Sequence, residues 1–202
     1  MNSTVITKRY SAPEVSKKEI LRYMGCRVTD DETVSLIDKA LELCLDKVRY
    51  DVCYAEFPIN IGESSVDLGF CVTESRDAKK CLDGCESIIL FAATAGLELD
   101  RLIMRYGKLS PALALSIQAI GAERIEALCD VFCRDMSEKF SRQGKELRPR
   151  FSAGYGDLPL EIQTNAFDAL SCQSKIGLTL NKSLMMSPTK SVTAIIGIKN
   201  KI

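Results

Sequence analysis

An α+β fold, with a central antiparallel sheet and flanking helices, is predicted by three features of the 202-residue sequence. Residues 50–72 carry a period of two: Val52, Tyr54 and Glu56 alternate with Cys53, Ala55 and Phe57, and later Val66, Leu68, Phe70 and Val72 alternate with polar or small residues. Residues 87–95, SIILFAATA, form a continuous apolar run, the mark of a central strand buried on both faces. Helical periodicity lies before and after these strands without a repeated strand-helix-strand unit, which places the chain outside the parallel α/β class.

Taken in order, Ser16-Lys-Lys-Glu19 and Thr29-Asp-Asp-Glu32 have the S/T-x-x-E form that caps a helix start. The first helix is expected over residues 17–24, stopping at Gly25. The second carries Val34, Ile37, Leu41, Cys44 and Val48 on one core-facing stripe. Ile61-Gly-Glu-Ser64 has turn chemistry, so the two strands of residues 50–72 are expected to neighbour each other in one sheet. A short helix is expected over residues 77–82, and Gly96 leads from the apolar strand into LELDRLIMRYG, a helix ending at Gly107. That small-residue junction either seats a ligand at the helix N-terminus or permits close strand-helix packing.

Ser110-Pro111 opens the longest helix, to about Arg142, with Leu113, Ile117, Ile120, Ile125, Leu128, Phe132 and Met136 recurring on one face. Its middle, Ile120-Gly-Ala-Glu-Arg-Ile-Glu-Ala127, mixes small and charged residues, and the glycine there admits another backbone or a ligand. Asp157 is placed to cap a further helix through Cys172, with Ile162, Ala166 and Leu170 facing inward. Residues 184–186 and 192–198 flank Ser-Pro-Thr-Lys-Ser as a hairpin-like pair that returns the chain to the sheet.

Composition excludes several classes of function. Lys+Arg and Asp+Glu balance at 27 each, so no overall basic field recruits nucleic acid or an anionic membrane. No apolar run reaches the roughly 20 residues of a membrane span, and the first residues lack the apolar core of a signal peptide, so a cytoplasmic location is expected. Nine cysteines in that setting read as reduced thiols. Cys81/Cys85 and Cys129/Cys133 are each spaced i, i+4, but without histidine or a CxxC knuckle they read as small buried apolar residues, and no metal is assigned. The absence of histidine removes Ser-His-Asp and Cys-His catalysis. No GxxxxGK[ST] loop occurs and no GxGxxG follows a strand, so neither a nucleoside triphosphatase nor a Rossmann-type enzyme is indicated.

What is left is LRPRFSAGYGDLPLE, residues 147–161, a loop too aromatic, cationic and glycine-rich to be a plain connection. Arg150 offers a planar fork of donors for a carboxylate, Gly154 permits close backbone approach, and Tyr155 adds a ring face and a hydroxyl. A facing acid such as Glu126 balances an ammonium or sulfonium, so the set suits a zwitterionic, amino-acid-like ligand. The structural alternative is that Arg150 caps the long helix and Tyr155 fills the core.

RFSAGYGDLPLEIQ, followed by KIGLTLNKSLMMSPTKSVTAIIG ending at Gly197, resembles the S-adenosylmethionine-binding activation domain of cobalamin-dependent methionine synthase. That family has an arginine shortly before a Gly-Tyr pair, then a helix, an IGxxLT-like turn and a Met-x-Pro-x-x-Ser-Val segment. With a short, free-standing version of the domain the resemblance extends over ILFAATAGLELDRLIMRYGKLSPA and the long helix, and so over nearly the whole chain. It implies one C-shaped domain over residues 1–202, with a helical N-terminal part of about 1–49 and a motif-bearing part of about 110–202. Arg150 would grip the ligand carboxylate, Ser152, Ala153 and Gly154 would offer backbone contacts, Tyr155 would wall the groove, and Glu126 would face it.

The resemblance also implies partners. A separate cobalamin-binding methionine synthase protein would carry the cobalamin, and a flavodoxin-like or ferredoxin-like donor would supply one electron. S-adenosylmethionine would supply the methyl group that remethylates the reduced cobalt. No base or nucleophile accompanies the groove, so no catalytic residue is assigned and the chain reads as an accessory component of the methyltransferase. Three features depart from the family: Gly-Tyr-Pro-Ala-Cys-Pro becomes Gly154-Tyr-Gly-Asp-Leu-Pro159, an Asp-Trp-Thr-Pro segment has no counterpart, and a ligand-contacting tyrosine pair expected beyond the last strand is not found before Ile202. These departures leave a second reading, an adaptor or sensor for a corrinoid protein with a degenerate groove.

Overall fold

The computed structural model describes residues 4–26 and 30–201. In chain order the elements are β1 (Ile6–Arg9), α1 (Lys17–Met24), α2 (Asp31–Cys44), β2 (Asp51–Pro58), β3 (Asn60–Ile61), β4 (Val66–Asp67), β5 (Val72–Thr73) and α3 (Arg76–Cys81). They continue with β6 (Ser87–Thr94), α4 (Leu97–Leu109), α5 (Pro111–Ser141), β7 (Lys145–Leu147), α6 (Ile162–Leu170), α7 (Cys172–Ile176), β8 (Thr179–Leu180), β9 (Met186–Ser187) and β10 (Ser191–Asn200). The predicted α+β class holds. Among the described residues five strands form the main sheet in the order β1-β2-β6-β10-β7, antiparallel throughout and curled into an open half-barrel.

The period of two sorts side chains onto two cores. Val52, Tyr54, Ile89, Phe91, Ala93, Ala194, Ile196 and Ile198 face one, shared with Ile20 of α1, Ile37 of α2, Leu99 of α4 and the apolar stripe of α5. Cys53, Ala55, Phe57, Ile88, Leu90, Ala92 and Ile195 face the other, closed by Val66, Leu68, Leu82 and the inner faces of α6 and α7. Strands covered on both faces lose their polar alternation, which is why residues 87–95 read as one apolar run. All seven apolar positions predicted for the long helix are buried.

Four expectations are corrected. Residues 66–72 are not a strand beside β2: Gly69 sits at φ +78°, Leu68 N–H donates to the Cys71 carbonyl at 2.8 Å, and the segment turns into the β4–β5 hairpin of a small sheet with β3. Residues 184–186 do not pair with the last strand. Instead β9 pairs with β8, and after the cis Ser187–Pro188 bond Thr189 N–H is held by Asp100 of α4 at 2.8 Å, turning the chain so that β10 enters between β6 and β7. The helix expected through Cys172 breaks at Ser171, which adopts φ 50°. The N-terminal part, expected to be helical, also contributes β1 to the sheet edge.

Caps follow the sequence in kind more than in detail. Ser16 accepts from Glu19 N–H as expected, and Gly25 closes α1 in the left-handed conformation. Thr29 lies outside the described residues, and Asp30 caps α2 by accepting from Thr33 N–H at 2.7 Å. At the β6–α4 junction Gly96, at φ +86°, lies against the stem of Arg49, so this glycine serves close packing.

Candidate functional site

Beyond β7 the chain stays beside β10 but slips by one residue, since Leu147 pairs with Ile198 and Phe151 with Ile195. Phe151 bridges to Ile195, each N–H donating to the other's carbonyl at 2.9 Å, and its ring enters the α6 side of the sheet with Ala153, Leu158 and Ile162. Its neighbour Arg150 reaches α5, where a guanidinium nitrogen meets Glu126 Oε2 at 2.5 Å and Asp130 Oδ1 at 3.5 Å. Glu126 and Asp130 share one helix face because they are four residues apart. The Arg150 side chain is 27% exposed, so it is partly withdrawn from water. Burial pushes the adjacent Cys129 thiol well above its ordinary value, against the smaller pull of Arg150.

The acids open onto a groove of about 650 Å³ between α5, α1 and the segment before α1. Glu126, Asp130, Cys133 and Arg134 line one wall, with Glu19, Arg22 and Tyr23 opposite. Its floor is the charged middle of α5. Arg124 lies against Glu123 at 2.5 Å, both almost fully buried, and donates to the carbonyls of Pro13 and Glu14 at 2.7 Å each. Glu123 accepts from Ser16 N–H at 3.0 Å, the contact that a capping box would give to Glu19, which pairs with Arg22 instead. Gly121 leaves room for the stem of Lys190. The unusual middle of this helix therefore clamps the N-terminal segment onto the sheet's helical layer.

The Gly-Tyr loop has a different anchor. Gly154, at φ +84°, donates its N–H to the Leu158 carbonyl at 2.8 Å, and Tyr155 N–H donates to Ser152 at 3.2 Å, so neither donor is free. A Cβ on Gly156, at φ +57°, would collide with the Asp77 carboxylate. Asp157 does not cap α6; it caps α3, accepting from the Ser75 hydroxyl, Arg76 N–H at 2.8 Å and Asp77 N–H at 3.1 Å. The Ser75 hydroxyl foremost, then the backbone donors, hold the Asp157 carboxyl below the usual range. The Tyr155 ring meets Phe151 edge-on at 5.7 Å and is 70% exposed, so it does not fill the core.

Arg150 and Glu126 are thus brought into contact, while Ser152, Ala153, Gly154 and Tyr155 lie on a loop tied to α3. Asp130 and Arg134 were not anticipated, although the i, i+4 spacing from Glu126 was a usable signal for Asp130. Among the described residues no three Cys, Asp or Glu side chains converge as a metal site requires, and no helix is long and apolar enough to cross a membrane.

No protein-family model matches the chain, and no curated protein sequence does. Solved structures do match, and they define the class as an activation-domain-like fold. The particular neighbour is a crystal structure of the MetH reactivation domain bound to AdoHcy: the TM-score is 0.70, with 97% of this chain and 78% of that chain covered at 14% identity. At that identity the likeness is one of fold.

Proposed function

We propose that this chain binds S-adenosylmethionine and serves as a reactivation subunit for a separate cobalamin-dependent methionine synthase. The observation that carries this reading is the likeness, over nearly the whole chain, to a domain crystallised with AdoHcy. The donor set suits the ligand. Arg150 stands at the edge of the groove as a fork for the amino-acid carboxylate, and Glu126 and Asp130 offer counter-charge to the ammonium and sulfonium. The groove's volume falls in the range of small-molecule sites, roughly 300–1,000 Å³.

On the partner, cobalamin would supply the methyl-accepting cobalt once one electron from a flavodoxin-like or ferredoxin-like donor has reduced it. This chain's part is positional: to hold the ligand by its amino-acid end and present the methyl group outward. Because both acids already engage Arg150, the ligand carboxylate must displace them. Calorimetric titration with S-adenosylmethionine and AdoHcy, with and without a corrinoid-domain partner, tests the proposal. Arg150→Ala should weaken binding about 10- to 100-fold, the worth of a charged hydrogen bond. A wild type that binds neither ligand under either condition refutes it.

The engaged loop N–H groups and the occupied Arg150 favour one other reading, an adaptor for corrinoid proteins that no longer uses the groove. A corrinoid partner's spectrum that changes on mixing without S-adenosylmethionine supports that reading.

A further inference from the structure

At the far end of the sheet, where β1 stops and β2 starts, three cationic side chains gather round one carboxylate. Cross-strand register sets Arg9 opposite Asp51, and Asp51 accepts from Arg9 Nε at 2.6 Å while pairing with Arg49 at 2.7 Å. The Asp51 side chain is 8% exposed, so the organiser is buried and the two guanidiniums stand above it. The stem of Arg49 is steered there by Gly96, where a Cβ would come within 3.2 Å of the Arg49 Cβ. Lys175 of α7 completes the rim of a cavity of about 200 Å³, with Thr7 and Ile176. Lys8 also touches the cavity, but its ammonium is taken by Asp135 on α5 at 2.6 Å.

We propose that this cavity binds a phosphate group, carried by inorganic phosphate or by a small phosphomonoester. One carboxylate cannot neutralise three cations, and among the described residues Lys175 has no ion-pair partner. Each guanidinium has five N–H donors, and the bonds to Asp51 leave some of each set free. Forked donors suit a tetrahedral oxyanion better than a spherical halide does. Asp51 holds both forks in place before any ligand arrives, which lowers the ordering cost of binding. The cavity is below the roughly 300 Å³ of sites that enclose whole drug-sized molecules, so it fits the phosphate group and leaves the rest of an ester in solvent. The balanced charge of the whole chain points away from a polyanion that needs a long basic track.

The test is an NMR amide-shift titration with potassium phosphate, and separately with glycerol 3-phosphate, against potassium chloride at matched ionic strength. Saturable shifts at Thr7, Arg9, Arg49 and Lys175 with phosphate, absent with chloride, are expected. Tighter binding of the ester would identify an esterified ligand, and equal or weaker binding free phosphate. Arg49→Lys, which keeps the charge but loses the fork, and Lys175→Ala should each weaken binding about tenfold, the worth of one charged hydrogen bond. Lys145→Ala on β7 should have no effect. Non-saturating shifts, equal response to chloride, or equal loss in the Lys145 variant would overturn the proposal. Lys175 is exposed, so its variant keeps the test decisive should an Arg49 variant misfold.

Discussion

Replacing Arg124 with methionine is the sharpest test of how the N-terminal segment is held. Arg124 and Glu123 are 3% and 4% exposed, and the guanidinium satisfies the Glu123 carboxylate and the carbonyls of Pro13 and Glu14 at once. Methionine fills much of the same volume but supplies no donor. Glu123 then keeps only Ser16 N–H, as a buried charge without its counter-ion. Removing one partner of such a pair costs about 3–5 kcal/mol. Set against the 5–15 kcal/mol, approximately, that a domain has in total, this is a large share. With a urea m-value of about 2 kcal/mol/M, the midpoint should fall by about 1.5–2.5 M. Urea unfolding followed by circular dichroism reads this directly. The double variant Glu123→Gln, Arg124→Met removes the stranded charge and should recover a substantial part of the loss, so the two changes will not add. A single-variant loss below about 1 kcal/mol, the level of an exposed pair, would show that the clamp does not act as a buried ion pair.

Other consequences are as direct. Asp130→Asn removes counter-charge offered to the sulfonium and should weaken S-adenosylmethionine more than AdoHcy, whose sulfur is neutral; tightening of both ligands alike would show that Asp130 acts only as a competitor for Arg150. Gly197→Ala would put a Cβ 2.6 Å from Cys85 Sγ, so unfolding measurements should show a loss of about 1–3 kcal/mol, relieved when Cys85→Ala is added. The folded-state depression of the Asp157 carboxyl contributes stability above its unfolded titration range of about pH 4, and the contribution is lost as pH falls through the folded value. The thermal midpoint of Asp157→Ala should therefore lie below wild type at neutral pH, and the gap should narrow in acid. A gap that widens in acid would contradict the cap.

Periodicity made the cores of α2 and α5 and the strand β6 legible, because each is set by one face meeting one neighbour. β1 and β7 were not legible: ITKR is exposed along its whole length and KEL is three residues long, so neither carries an alternation to read. The run through Val66 and Val72 carried the right period in the wrong place, since a single left-handed glycine decided between a long strand and a hairpin. At the candidate site, the electrostatic match of Arg150 with Glu126 was readable from residue type, and the two side chains do meet. The roles of Glu123, Arg124 and Asp157 were not, because each acts on backbone groups 80 or more residues away, which leave no mark in side-chain pattern.

The place of β10 bears on the order in which the molecule can assemble. Residues 191–200 pair on one side with β6 and on the other with β7, so the latest of the five sheet strands in chain order occupies an interior position. Until those residues emerge from the ribosome, β6 presents an open apolar edge and β7 has no partner. Both pairings join segments distant in the chain, Ile196 with Ile89 among them, which makes closure slow compared with helix formation. The nascent protein thus passes through a stage in which the sheet lacks its β6–β10 and β10–β7 pairings. A chain truncated at Lys190 should accumulate as that edge-exposed, aggregation-prone species.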